Sequence, residues 1–153
     1  MYNTIPELLQ YIEKHALITQ VNDENRELDD IDLEDTGDAA TARIITAITD
    51  ADAEIDSYLS SRYPMPLPST PSIVKQLSRD IAIYNLYKRR NREDIPESIS
   101  EIYKMSLKML EKIQAGKMNL GIEVTGESDA AAEMLVNKTD DDRIFPKERL
   151  DRF

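Results

Sequence analysis

The sequence predicts a mainly α-helical fold, a compact bundle of about four helices followed by a short extended segment and a C-terminal tail. Three observations carry that expectation. Only four glycines occur in 153 residues, against an abundance of leucine, isoleucine, alanine, glutamate and lysine, whose side chains lose little freedom on a helix. Apolar residues recur at three- and four-residue steps in several stretches, the period of a helix with one buried face. Prolines and glycines gather between those stretches rather than inside them.

The first element begins at Thr4-Ile5-Pro6-Glu7. Thr4 suits an N-cap, Glu7 can reach back to the Thr4 amide, and Pro6 stands in the first turn, where its missing N–H is harmless. Leu8, Leu9 and Ile12 form its apolar stripe, and the helix is expected to end near His15. Residues 22–38 then turn acidic, with nine carboxylates against Arg26 alone. Such a run repels itself and predicts a solvated, mobile connection. A calcium loop starting at Asp32 fails at its twelfth position, where Arg43 stands in place of the bidentate glutamate the ion requires.

A long helix is expected over residues 38–61, with Ile44, Ile48, Ala51, Ile55, Tyr58 and Leu59 on one face. Pro64, Pro66, Pro68 and Pro71 stop it and force an extended connection. The next helix, over residues 71–90, is capped by Thr70 or Ser72 and turns Val74, Leu77, Ile81 and Tyr84 inward, with Tyr87 or Lys88 closing that face. Its end carries the basic run Lys88-Arg89-Arg90-Asn91-Arg92, suited to the negative pole of its own dipole. A further helix spans 96–115, with Ile99, Ile102, Tyr103, Leu110 and Ile113 inward and Gly116 as its left-handed terminator. Residues 118–124 alternate apolar and polar side chains, which predicts a short extended piece. The expected division is a helical domain over 1–125 and a flexible arm over 126–153.

The last eleven residues hold both phenylalanines of the chain. Fixing eleven backbones costs more than burying Ile144, Phe145, Leu150 and Phe153 returns, so this tail needs a surface to lie on.

Composition narrows the chemistry. Without cysteine there is no disulfide, thiol nucleophile or thiolate metal site, and one histidine cannot build a histidine cluster. His15 is read as a helix-end residue. A net charge of −11 opposes nucleic acid as the main ligand, so no sequence-specific nucleic-acid partner is expected. No stretch approaches the roughly 18 apolar residues of a membrane span, so no membrane partner is expected either. Glycines 37, 116, 121 and 126 never fall in a Gly-x-Gly cradle. Asp52 and Asp56 can share a helix face, but the sequence shows nothing that would separate their pKa values for acid–base work. No catalytic residue, metal or cofactor is therefore assigned. One structural bridge is expected: Arg62, at the end of the second helix, paired with Asp80 on the third.

The stretch Ala53-Glu54-Ile55-Asp56-Ser57-Tyr58-Leu59-Ser60-Ser61-Arg62-Tyr63-Pro64-Met65-Pro66-Leu67 resembles the signature of a family of small proteins of Mu-like phages and prophages. Asp80-Ile81-Ala82-Ile83-Tyr84-Asn85-Leu86-Tyr87, Gly116-Lys117-Met118-Asn119-Leu120-Gly121 and Arg143-x-Phe145 with Leu150 and Phe153 resemble its later segments. Genes of that family lie between capsid and tail genes. The resemblance implies a neck or head–tail connector protein of the virion without catalytic activity. Related neck proteins form rings, often of twelve copies, between the portal and the tail-completion proteins. They are assembled in the bacterial cytoplasm. The long acidic connection at 22–38 and the weakly patterned stretch at 126–142 depart from the family pattern.

Within that frame, Leu120, Ile122, Arg143, Ile144, Phe145, Leu150 and Phe153 are expected to contact neighbouring subunits. The competing class is a small helical module that docks one host or phage protein.

Overall fold

Three long helices build the core of the computed structural model, which describes residues 1–90 and 94–123. In chain order, α1 spans Ile5–Leu8, α2 Lys14–Val21, α3 Ala39–Leu59, α4 Ser72–Arg90 and α5 Glu97–Gln114, with a single 3-10 turn at Leu28–Asp30 before α3. The α3–α4 pair is the most extensive contact, α5 lies against both, and α2 touches the same two helices. The described residues contain no strand.

The long helices follow the expected stripes. On α3, Ile44, Ile48, Ala51, Ile55 and Leu59 are inaccessible to solvent, and on α4 so are Val74, Leu77 and Ile81. Each such leucine or isoleucine contributes about 1.5–3 kcal/mol by leaving water. Ala51, Ser78 and Ala82 are small and buried, which lets the α3 and α4 backbones approach closely. Asp38 caps α3 by accepting the Ala40 amide at 2.8 Å. At the other boundary, α5 ends in a Schellman motif. The Lys117 amide donates to the Lys112 carbonyl at 2.8 Å and the Gly116 amide to the Ile113 carbonyl at 3.0 Å, with Gly116 at φ +74°.

The structure corrects the reading of the N-terminal third. One helix does not run from Thr4 to His15. It stops at Leu8, turns through residues 9–13, and restarts at Lys14, so His15 occupies the first turn of α2. On an unbroken helix, Leu8 and Leu17 would point about 180° apart, nine residues at 100° each. The break brings both into the core. Thr4 also departs from the expected capping role: its hydroxyl donates to Glu7 at 3.0 Å instead of receiving an amide.

Residues 22–38 are not a solvated connection. Ile31 is 1% exposed, Leu33 is buried, and Leu28 packs against the same core. Arg26 grips Asp38 with both terminal nitrogens, at 2.8 and 2.7 Å, and the Thr41 hydroxyl donates to the Asp32 carbonyl at 3.1 Å. The acids meet cations from distant elements. Asp23 pairs with Arg89 at 2.7 Å and Arg43 at 3.2 Å, and Glu24 pairs with Arg43. Counting charge within the segment misses those partners.

Two smaller expectations also change. Ile102 is 45% exposed, because the inward face of α5 is centred on Tyr103, Ser106, Leu110 and Ile113. Residues 118–123 form no strand, and bends fall at Met118 and at Gly121 and Ile122, with Gly121 at φ +74°.

Candidate assembly surface

The expected Arg62–Asp80 bridge does not form. Arg62 lies just beyond α3, beside the C-terminal end of α5, and donates to the Ile113 carbonyl at 3.0 Å. A helix end presents unpaired carbonyls and a negative pole, which draw a guanidinium. Asp80 is held instead by its neighbour Arg79 at 2.8 Å, whose guanidinium also covers the Tyr11 ring at 3.8 Å. Next to Arg62, the Tyr63 hydroxyl donates to Asn119 Oδ1 at 3.3 Å and accepts the Leu120 amide at 3.1 Å. The end of α3 thus clasps the end of α5 and the residues after it.

The run at the end of α4 follows the same logic across elements. Arg90 donates to the Thr19 and Asn22 carbonyls at 2.7 and 2.8 Å, and Arg89 to the Gln20 carbonyl at 2.7 Å. These cations complement the end of α2 rather than their own helix, and they are engaged rather than set out for phosphate.

Asp52 is a residue whose role the sequence reading missed. It is buried on α3, where Oδ1 accepts the Ser78 hydroxyl at 2.6 Å and Oδ2 accepts the Tyr2 amide at 2.7 Å. The Tyr2 hydroxyl donates to Asp56, and burial together with that carboxylate raises its pKa. The signal was legible: Asp52 falls four after Ile48 and three before Ile55, inside the apolar stripe. With both oxygens occupied, the carboxylate acts as a pin joining the N-terminal residues, α3 and α4. Further along, Tyr84 and Tyr103 stack at 3.8 Å with planes 2° apart, and Tyr103 donates to Glu54 at 3.0 Å. Burial and then Glu54 push the Tyr103 pKa up to about 12.

Among the described residues, no group of three or more histidine, aspartate or glutamate side chains is placed to hold a metal ion. No described helix is long and apolar enough to cross a membrane.

Two apolar surfaces stand out among the described residues. One is a groove of about 450 Å³ between α1, residues 33–36 and α3, floored by Ile5, Leu9, Leu33, Ile45 and Ile48. The other is a flank of α5 on which Met105, 57% exposed, stands beside Ile102. The residues expected to contact neighbours divide unevenly. Leu120 is 9% exposed and fills its own core, and Ile122 packs against the same core half-buried. Arg143, Ile144, Phe145, Leu150 and Phe153 lie outside the described residues, as does the whole 126–153 arm.

Comparison with known proteins places this architecture among phage sequences. The profile of the family described as Bacteriophage Mu, Gp36 matches residues 2–138. Gene product J of Escherichia phage Mu is 30% identical over 103 residues, covering 67% of this chain and 70% of that protein. The Mu-like prophage FluMu protein gp36 of Haemophilus influenzae is 33% identical over 96 residues, covering 61% of this chain and 65% of that protein.

Proposed function

The chain belongs to the Bacteriophage Mu Gp36 family, and from that premise we propose that it serves virion morphogenesis as a head–tail connector, a neck subunit joining portal to tail. The observation that carries the proposal is the extent of the family match, residues 2–138, which takes in every described helix. The motifs at 53–67, 80–87 and 116–121 that resemble Mu-like neck proteins fall within it.

The geometry suits a building block. Three packed helices give a rigid body, the clasp at Arg62 and Tyr63 fixes one end, and an apolar groove opens near the other. In this reading the protein is not an enzyme and uses no cofactor. Its partners are further copies of itself in a ring, together with portal and tail-completion proteins, and it needs neither a membrane nor a specific nucleic-acid sequence. It works at the virion neck and is assembled in the bacterial cytoplasm. Ring contacts are heterologous, one surface meeting a different one, so each subunit must offer both a projection and a socket.

The test is genetic. Inactivating this gene in an inducible prophage should leave filled heads and separate tails that do not join, with restoration by the gene supplied in trans. Intact, infectious particles made without the protein would overturn the proposal.

A further inference from the structure

We propose that the groove between α1 and α3 is a socket for residues 143–153 of a second copy of this chain; this deepens the ring reading above and rests on it. The groove's volume of about 450 Å³ lies within the usual range for ligand sites. Its floor is aliphatic, however, and a pocket for a polar metabolite would need convergent polar groups. Apolar side chains are the natural occupants.

The lip of the groove adds charge. Glu34 lines it, and Asp32 and Asp35 stand exposed on either side of Glu34. Elsewhere in the same connection, Asp23, Glu24 and Asp38 are consumed by arginines. Among the described residues no ion pair engages Asp32, Glu34 or Asp35. Six acids of the connection are thus outside any ion pair among the described residues, and three of them, Asp32, Glu34 and Asp35, sit where an incoming segment would pass.

Residues 143–153 match both properties. They carry Ile144, Phe145, Leu150 and Phe153 among Arg143, Lys147, Arg149 and Arg152, with only Glu148 and Asp151 opposing. In a chain of net charge −11, this is an apolar segment of positive charge. Apolar anchors supply contact area, and opposite charge at the rim steers encounter and fixes register.

The ring reading calls for a second copy, since each subunit of a head-to-tail contact offers both a projection and a socket. The described chain leaves the body where Tyr63 holds Leu120, at the C-terminal end of α3. The groove lies around Ile45, fourteen residues earlier, about 21 Å back along the helix axis at 1.5 Å per residue. The last described residues and the groove thus lie toward opposite ends of one helix, so the chain departs from the body at a distance from the socket.

Because the chain lacks cysteine, the contact can be read by disulfide trapping in the full-length protein. Thr36→Cys marks the lip, Asp151→Cys the segment, and Ser57→Cys the distant, exposed surface of α3 as a control. Mixing the T36C and D151C chains under mild oxidation should give a cross-linked dimer on non-reducing gels, well above the S57C and D151C mixture. Glu34→Lys should reduce its yield about fivefold, as loss of a charge pair allows, and Arg149→Glu on the D151C chain should restore it. The proposal is overturned if a T36C/D151C double variant closes only within one chain. It is also overturned if the trapped species stays at the control level both in solution and in purified particles. Absence of the chain from particles would instead remove the neck reading, while the trapping result would still decide the docking.

Discussion

Single residues at the ends of α3 and α5 fix how the body closes. Gly116 and Gly121 share φ +74°, but their surroundings differ. A Cβ on Gly116 would come within 2.7 Å of Arg62 Nη1, whereas one on Gly121 meets nothing within 4 Å. Gly116→Ala and Gly121→Ala should each lose about 1–2 kcal/mol from left-handed strain. The former should lose measurably more, because it also displaces the arginine from the Ile113 carbonyl. Urea unfolding of both variants checks this, and equal losses would deny Arg62 its clasping role. The Gly116 terminator was legible in the sequence, since it directly follows the last periodic residues of α5. The partner of Arg62 was not. A backbone carbonyl at a helix end leaves no mark on residue identity, so a carboxylate such as Asp80 looked the better match.

At the scale of elements, α3, α4 and α5 were readable to within two residues at each boundary, because apolar period and proline punctuation agree there. The break between α1 and α2 was not readable, since its cause is the demand that Leu8 and Leu17 enter one core. The acidic connection was misread for a similar reason: Asp23 finds Arg89 at a separation of 66 residues. Its anchoring makes two predictions. Ile31→Ala should cost about 2–5 kcal/mol, as deletion of a buried isoleucine does. Met105→Ala, on the exposed flank of α5, is the control and should stay within about 0.5 kcal/mol. A negligible effect at Ile31 would restore the picture of a solvated linker.

The second prediction concerns acid. Arg26, and then the Ala40 amide, lower the Asp38 pKa from 3.8 to about 2. The unfolded chain therefore takes up this proton first. The stabilisation is present above about pH 4 and is lost as pH falls toward 2. Asp38→Asn should flatten that part of the stability profile, measured by urea midpoints across the range. A profile as steep as that of the parent would assign the acid sensitivity to other groups.

For the whole molecule, composition and order of motifs said more about function than any local constellation did. No catalytic set was expected from the sequence, and the buried carboxylate of Asp52 is committed to Ser78 and Tyr2. The groove could not be foreseen. Its walls come from α1, residues 33–36 and α3, which meet only after the connection folds back onto the core. Its lip carries acids that no ion pair engages among the described residues, and a basic, phenylalanine-bearing segment lies later in the same chain. Together they support the proposal of a subunit that joins to others. Antibody-gold labelling of this protein in purified particles, viewed by electron microscopy, tests that account most directly. Gold should gather at the junction of head and tail. Gold spread over the capsid or the distal tail, or particles that carry none, would contradict it.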